Sequence, residues 1–202
     1  MSRPSRAMRK LSAELVRHLR PPTDHDDLIT GIGRALSLVR GRPVRLREAA
    51  FPPATASGVW VDRTDRDLIV YEQNTGPEHQ IVIIGHEAWH MFQGHGSPGT
   101  DLRPTAARAT DSAPAEALTA FVATVSEAAR THLPPDRHRD AALHYAARTD
   151  DDGIRQELEA EHFGFRFATD VRAALDEART AGDPRHLTGR IHASMAHRFG
   201  PT

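Results

Sequence analysis

At 202 residues the chain is long enough for one domain with a substantial hydrophobic core. It contains no cysteine, which excludes disulfides and a thiolate metal site, and its formal charge of −1 argues against dominant nonspecific binding to a phosphate backbone. No apolar stretch follows the basic start Met1 to Arg6, and no run approaches the about 18 apolar residues of a membrane helix, so a cytoplasmic protein without membrane contact is expected.

The first helix is predicted from about Ser5 to Arg20, with Met8, Leu11, Leu15 and Leu19 as its apolar stripe and a solvated basic back. Pro21 and Pro22 stop it. Thr23 or Asp24 then caps a second helix, in which Leu28, Ile32, Leu36 and Val39 face the core until Gly41 ends the run. A double proline at the break and no third helix argue against a helix-turn-helix. After Gly41 the period changes to two: Val44 and Leu46 alternate with Arg45 and Arg47, and further strands follow at 58–61 and 67–71. The third strand runs through Asn74, Thr75, Gly76 and Pro77 into the next helix. Its edge is therefore expected beside any site that helix carries, offering backbone groups to an extended peptide.

That next helix holds His86-Glu87-Ala88-Trp89-His90, an H-E-x-x-H element. Four helical residues turn through about 400° and rise about 6 Å, so His86 and His90 share a face and can present two imidazoles to one metal. Glu87 can lie beside the metal without binding it, as a general base. The surrounding Ile81, Val82, Ile83, Ile84, Ala88 and Trp89 make the helix apolar nearly all round. An ionised Glu87 in that setting is expensive unless something positive compensates it. A hydrolytic zinc usually has three protein ligands and an open position. A third histidine in the extended form of the motif is out of register, since Gln93 and Gly96 occupy its positions.

Polar residues from Gly94 to Ala113 suggest a loop forming one wall of the cleft, with His95 a candidate for contacting substrate. Helices are expected at Pro114 to Arg130 and Asp136 to Ala147, with His144 and Tyr145 within possible reach of the cleft. A late helix should begin behind Thr149 to Asp152 and continue to about Arg179. There Ile154, Leu158, Phe165 and Ala168, with Ala160 and Phe163 nearby, mark a buried face, and the third ligand is sought among Glu157, Glu159, Glu161 and His162; periodicity leaves all four open.

Tyr71-Glu72-Gln73-Asn74-Thr75, the H-E-x-x-H element with Gly94-His95 behind it, and Glu159-Ala160-Glu161-His162-Phe163-Gly164 together resemble the ImmA/IrrE-type zinc metallopeptidases, in particular compact actinobacterial members labelled as toxin components of toxin-antitoxin systems. The resemblance covers about residues 8–175. It implies a zinc ion held by His86, His90 and Glu159, with Glu87 as the catalytic base. It also implies limited cleavage of a helix-turn-helix repressor or similar regulatory protein, without direct nucleic-acid binding by this chain. Two positions depart from the family pattern. Gly164 stands where alanine is common, and Trp89 stands where a glycine is usual and brings bulk to the back of the metal helix. The alternative is a non-proteolytic toxin or partner-binding component on the same scaffold.

The expected fold class is α+β: a mainly helical single domain over residues 1–180, with a small, largely antiparallel three-stranded sheet beside the metal helix. Residues 181–202, with His186, His192 and His197, are expected to form a flexible tail.

Overall fold

The computed structural model describes residues 5–20, 22, 24–53, 56–63, 65–94, 120, 123–125, 127–128 and 151–182. The expectations for His95, His144, Tyr145, the 136–147 helix and the tail histidines fall outside these residues. Helix α1 (Arg6–Arg17) starts where the Ser5 hydroxyl accepts the Met8 amide at 3.2 Å. Helix α2 (His25–Arg40) is capped by Asp24, whose carboxylate accepts the Asp27 amide at 2.8 Å, and ends at Gly41, whose φ of 76° suits a residue without a Cβ. Asp24 is one of the two caps the sequence offers.

Strands β1 (Val44–Ala49), β2 (Gly58–Asp62) and β3 (Asp67–Glu72) form one sheet in the order β1-β3-β2. The sheet is mixed, where a largely antiparallel one was expected. β2 and β3 make an antiparallel hairpin, whereas β1 lies parallel to β3 with Val44 opposite Asp67. The segment between β1 and β2 carries the chain past the position next to β1, and β3 fills it. β3 is thus central, paired on both sides, and has no open edge for a peptide; the outer strands are β1 and β2.

Alternation along the strands builds two cores. Val44, Trp60, Ile69 and Tyr71 face the helices, while Val59, Val61, Leu68 and Val70 face a second apolar cluster that includes Phe51 and Val125. The fully buried Asp67 locks the corner where these layers meet. It accepts the Trp60 indole N–H at 2.8 Å and the Arg40 Nε at 3.1 Å, and lies 3.0 Å from the Arg42 Nε. A buried carboxylate is tolerable only with such compensation.

Helix α3 (Pro77–Gln93) begins with proline at its first position and ends at Gly94 with φ 66°. Gln80, in its first turn, lies 2.7 Å from the His25 ring and donates to the Glu72 carbonyl at 3.3 Å, joining α3 to α2 and to the end of β3. Helix α4 (Asp151–Gly182) packs along α3 and α1. The Ser12 hydroxyl of α1 donates to the Asp170 carboxylate at 2.6 Å. Between α3 and α4, Trp89 stacks on Phe163 at 5.0 Å and Phe163 on Phe167 at 6.1 Å, all three almost fully buried. Each such side chain contributes on the order of 1.5–3 kcal/mol through burial.

The helices approach most closely at two glycines. A Cβ on Gly85 would lie 3.0 Å from the Gly164 Cα, and one on Gly164 would lie 2.6 Å from the Val82 carbonyl oxygen and 3.2 Å from the His86 nitrogen. These neighbours are backbone atoms and cannot swing aside. Gly164, the departure from the resembled pattern, is therefore what this crossing requires. Alanine gains about 1 kcal/mol over glycine in an open helix, yet overpacking typically costs about 1–3 kcal/mol. Gly164→Ala is expected to lose net stability, by up to about 2 kcal/mol in urea unfolding; a higher midpoint would show that the helices are not in contact there.

Tyr71, on the helix side of β3, has its hydroxyl pushed up to about 12, mainly by burial and further by the negative charges of Glu48 and Asp26. Because the folded value exceeds the ordinary 10.0, this contribution to stability is fully present below pH 10.0 and is lost as pH rises towards about 12. In a Tyr145→Phe variant, where Tyr71 is the sole tyrosine, tyrosinate absorbance should titrate near the upper value and stability should fall across this window. A midpoint at the ordinary value would contradict the burial.

Candidate metal centre

Apolar packing of α3 on the sheet and on α4 determines where its polar residues point. His86 and His90 lie one turn apart on the side towards α4, with ring centroids 4.9 Å apart. Their Nε2 atoms approach to 3.2 Å. Glu157 of α4 straddles the pair, one oxygen 3.4 Å from the His86 Nε2 and the other 3.5 Å from the His90 Nε2. Among the described residues this is the group of three whose donor atoms converge closely enough to hold a metal ion.

The spacing discriminates between two explanations. Charge-assisted N–H···O bonds run at about 2.7–2.9 Å, well below the histidine–glutamate separations seen here. Ligands at about 2.0–2.1 Å around a tetrahedral ion lie about 3.3–3.4 Å from one another. The separations of 3.2, 3.4 and 3.5 Å, the last two to different Glu157 oxygens, lie near that value. Imidazole and carboxylate donors in this arrangement could hold a metal ion. The site is graded in exposure: the His90 side chain is 1% exposed, His86 15% and Glu157 45%, so it opens to solvent on the α4 side.

The carboxylate that joins the two histidines is that of Glu157, whereas Glu159, the ligand implied by the resemblance, lies outside this group. The reason lies in the rotation of α4. Ile154, Leu158 and Phe165, taken from the sequence as its buried face, are 50%, 50% and 53% exposed. The buried stripe is Ala160, Phe163, Phe167 and Val171, with Gly164 against α3, on a face roughly 140° away. Glu157 lies seven residues before Gly164 on the α3 side of that stripe. Glu159 is about 200° from Glu157 around the axis, half-buried and outside the cluster, and His162 is exposed and also outside it. The signal for Glu157 was Gly164 itself: a glycine within the helix marks the side that another backbone approaches.

Glu87 is fully buried. Its side chain lies against the start of β2, where a Cβ on Gly58 would stand 3.0 Å from its Oε1 and 2.5 Å from the Ile83 Cγ2. The strand nearest this carboxylate is thus the outer strand β2. Trp89 points into the α3–α4 core and its bulk does not enter the site.

No protein-family model matches the chain, and neither does any curated protein or solved structure. No helix among the described residues is long and apolar enough to cross a membrane.

Glu157→Ala should reduce zinc affinity by more than the about 10–100-fold usual for loss of a residue that merely orients a ligand, whereas Glu159→Ala should leave it within a few-fold of the parent. Competition titration against a chromophoric chelator measures both. Equal effects of the two substitutions would remove Glu157 from the site.

Proposed function

We propose that the chain is a cytoplasmic zinc-dependent endopeptidase. The observation that carries this reading is the convergence of His86, His90 and Glu157, with 3.2 Å between the two Nε2 atoms and 3.4 and 3.5 Å from these to the two Glu157 oxygens, a grouping close enough to hold one metal ion. Zinc, when bound, supplies Lewis acidity that polarises a carbonyl and acidifies a water. The residues of the chain do the rest. Glu87, adjacent to His86 and buried, takes a proton from the attacking water as its oxygen adds to the scissile carbonyl carbon, then passes that proton to the amine as the C–N bond breaks.

An extended substrate is aligned by the outer edge of β2. Val59 and Val61 pair with β3, so the backbone groups of Gly58 and Trp60 point away from the sheet, and Gly58 is where β2 meets Glu87. A helix-turn-helix repressor or similar regulatory protein is the substrate class proposed from the resemblance of the sequence motifs. The alternative of a non-proteolytic toxin or partner-binding component drew on the resemblance to toxin components and on the bulk of Trp89; that ring lies in the core and lends the alternative nothing.

Glu87→Gln keeps the shape of the side chain and removes its basicity. Peptide hydrolysis should fall by about 10²–10⁴-fold, the usual worth of a general base, with zinc content unchanged. Unaltered cleavage in this variant would rule out the assigned chemistry.

A further inference from the structure

The strand at the other side of the sheet carries a second feature. Asp67 donates its amide to the Pro43 carbonyl at 2.9 Å, and Gln73 donates to the Ala49 carbonyl at 3.0 Å. In a parallel ladder these bonds fix the alternation: Arg45, Arg47 and Ala49 turn their backbone groups to β3, and Val44, Leu46 and Glu48 turn theirs outward. Ser37 of α2 satisfies the first of the outward residues, its Oγ accepting the Val44 amide at 2.9 Å. Among the described residues, the outward N–H and C=O groups of Leu46 and Glu48 have no partner.

A groove of about 620 Å³ follows this edge. Its two sides differ in chemistry. On the α2 side, Ile29, Leu38 and Leu46 are apolar, and Leu38 is 65% exposed. On the other side stand Arg45, Arg47, Arg63 and Arg66; with Arg34 they make five arginines and no acidic residue in the lining. Asp65 neutralises Arg66 at 2.6 Å, and Asp27 lies 3.8 Å from Arg34. Arg45 and Arg47 make no ion pair or side-chain hydrogen bond among the described residues. Burial, and secondarily the charge of Arg66, hold the Arg63 guanidinium below its usual value, with Asp65 acting the other way.

We infer that the β1 edge binds an extended acidic segment of a partner protein as a fourth strand, with acidic side chains over Arg45 and Arg47 alternating with apolar ones over Leu46, Ile29 and Leu38. Strand alternation demands this pattern, since neighbours on an added strand fall on opposite faces of the sheet. The six residues of β1 set the length of the paired stretch. A nucleic acid would match the arginines but leave the strand amides and the apolar wall unused. With β3 between β1 and β2, an occupant here leaves the His86–His90–Glu157 cluster untouched, so this inference does not depend on the proposed chemistry.

The test uses the full chain and an eight-residue peptide of alternating Glu and Val, a version with Lys for Glu, and a version N-methylated on every second amide. The acidic peptide should bind, protect the Leu46 and Glu48 amides from hydrogen exchange, and weaken about tenfold in the Arg45→Gln/Arg47→Gln double variant, in keeping with the loss of two exposed ion pairs. The lysine peptide should not bind, and N-methylation of the face that meets β1 should abolish binding. Four results would overturn the inference: no binding at millimolar peptide, equal binding of the lysine peptide, tighter binding of a single-stranded oligonucleotide at the same arginines, or Leu46 and Glu48 amides already protected without peptide because the chain covers its own edge.

Discussion

The contact of Gly85 with Gly164 governs the positions of the groups around it. Two helices with side chains between them usually pack about 8–10 Å apart; here backbone meets backbone, and the close approach brings Glu157 within reach of residues only one and five positions beyond Gly85. A side chain at either glycine would force the helices apart and carry the carboxylate away from the imidazoles. The aromatic stack of Trp89, Phe163 and Phe167 lies alongside this crossing and fills the space where the helices diverge. Small residues set the distance, and large ones hold it.

A similar division operates on the other face of α3. Gly58 lets β2 come against Ile83 and the buried Glu87, so the carboxylate is confined between helix and strand. Further from the site, Asp67 gathers Trp60, Arg40 and Arg42 and fixes the sheet against the end of α2. The histidine pair thus stands on a helix held from two directions, and the glutamate arrives from a third element.

Much of this was legible in the sequence because local chemistry decides it. The cap at Asp24, one of two offered, the stop at Gly41, the three strands and the proline-started helix carrying His86 and His90 all follow from residues close to one another in the chain. What escaped were decisions made between distant segments. The rotation of α4 could not be read from Ile154, Leu158 and Phe165, because an apolar face competes with a glycine face and the tighter contact prevails. The parallel placement of β1 likewise depends on which strand fills the centre of the sheet, a choice that alternation alone leaves open. The motif resemblance set the alanine as the reference point and so pointed to the glutamate before it, whereas the backbone contact brings the one three positions before the alanine beside the two histidines.

The separation of the donors along the chain has a consequence for how the site comes into being. His86 and His90 are synthesised some seventy residues ahead of Glu157, an interval of about 4–14 s at about 5–20 residues per second. Helix α3 can neither close the triangle nor bury its α4-facing side until α4 has emerged and crossed it at the glycines. The completed donor set is therefore a property of the finished domain, and a nascent or truncated chain presents two histidines without their carboxylate partner. Whatever reactivity the assembled cluster has is withheld until folding joins the last helix to the third.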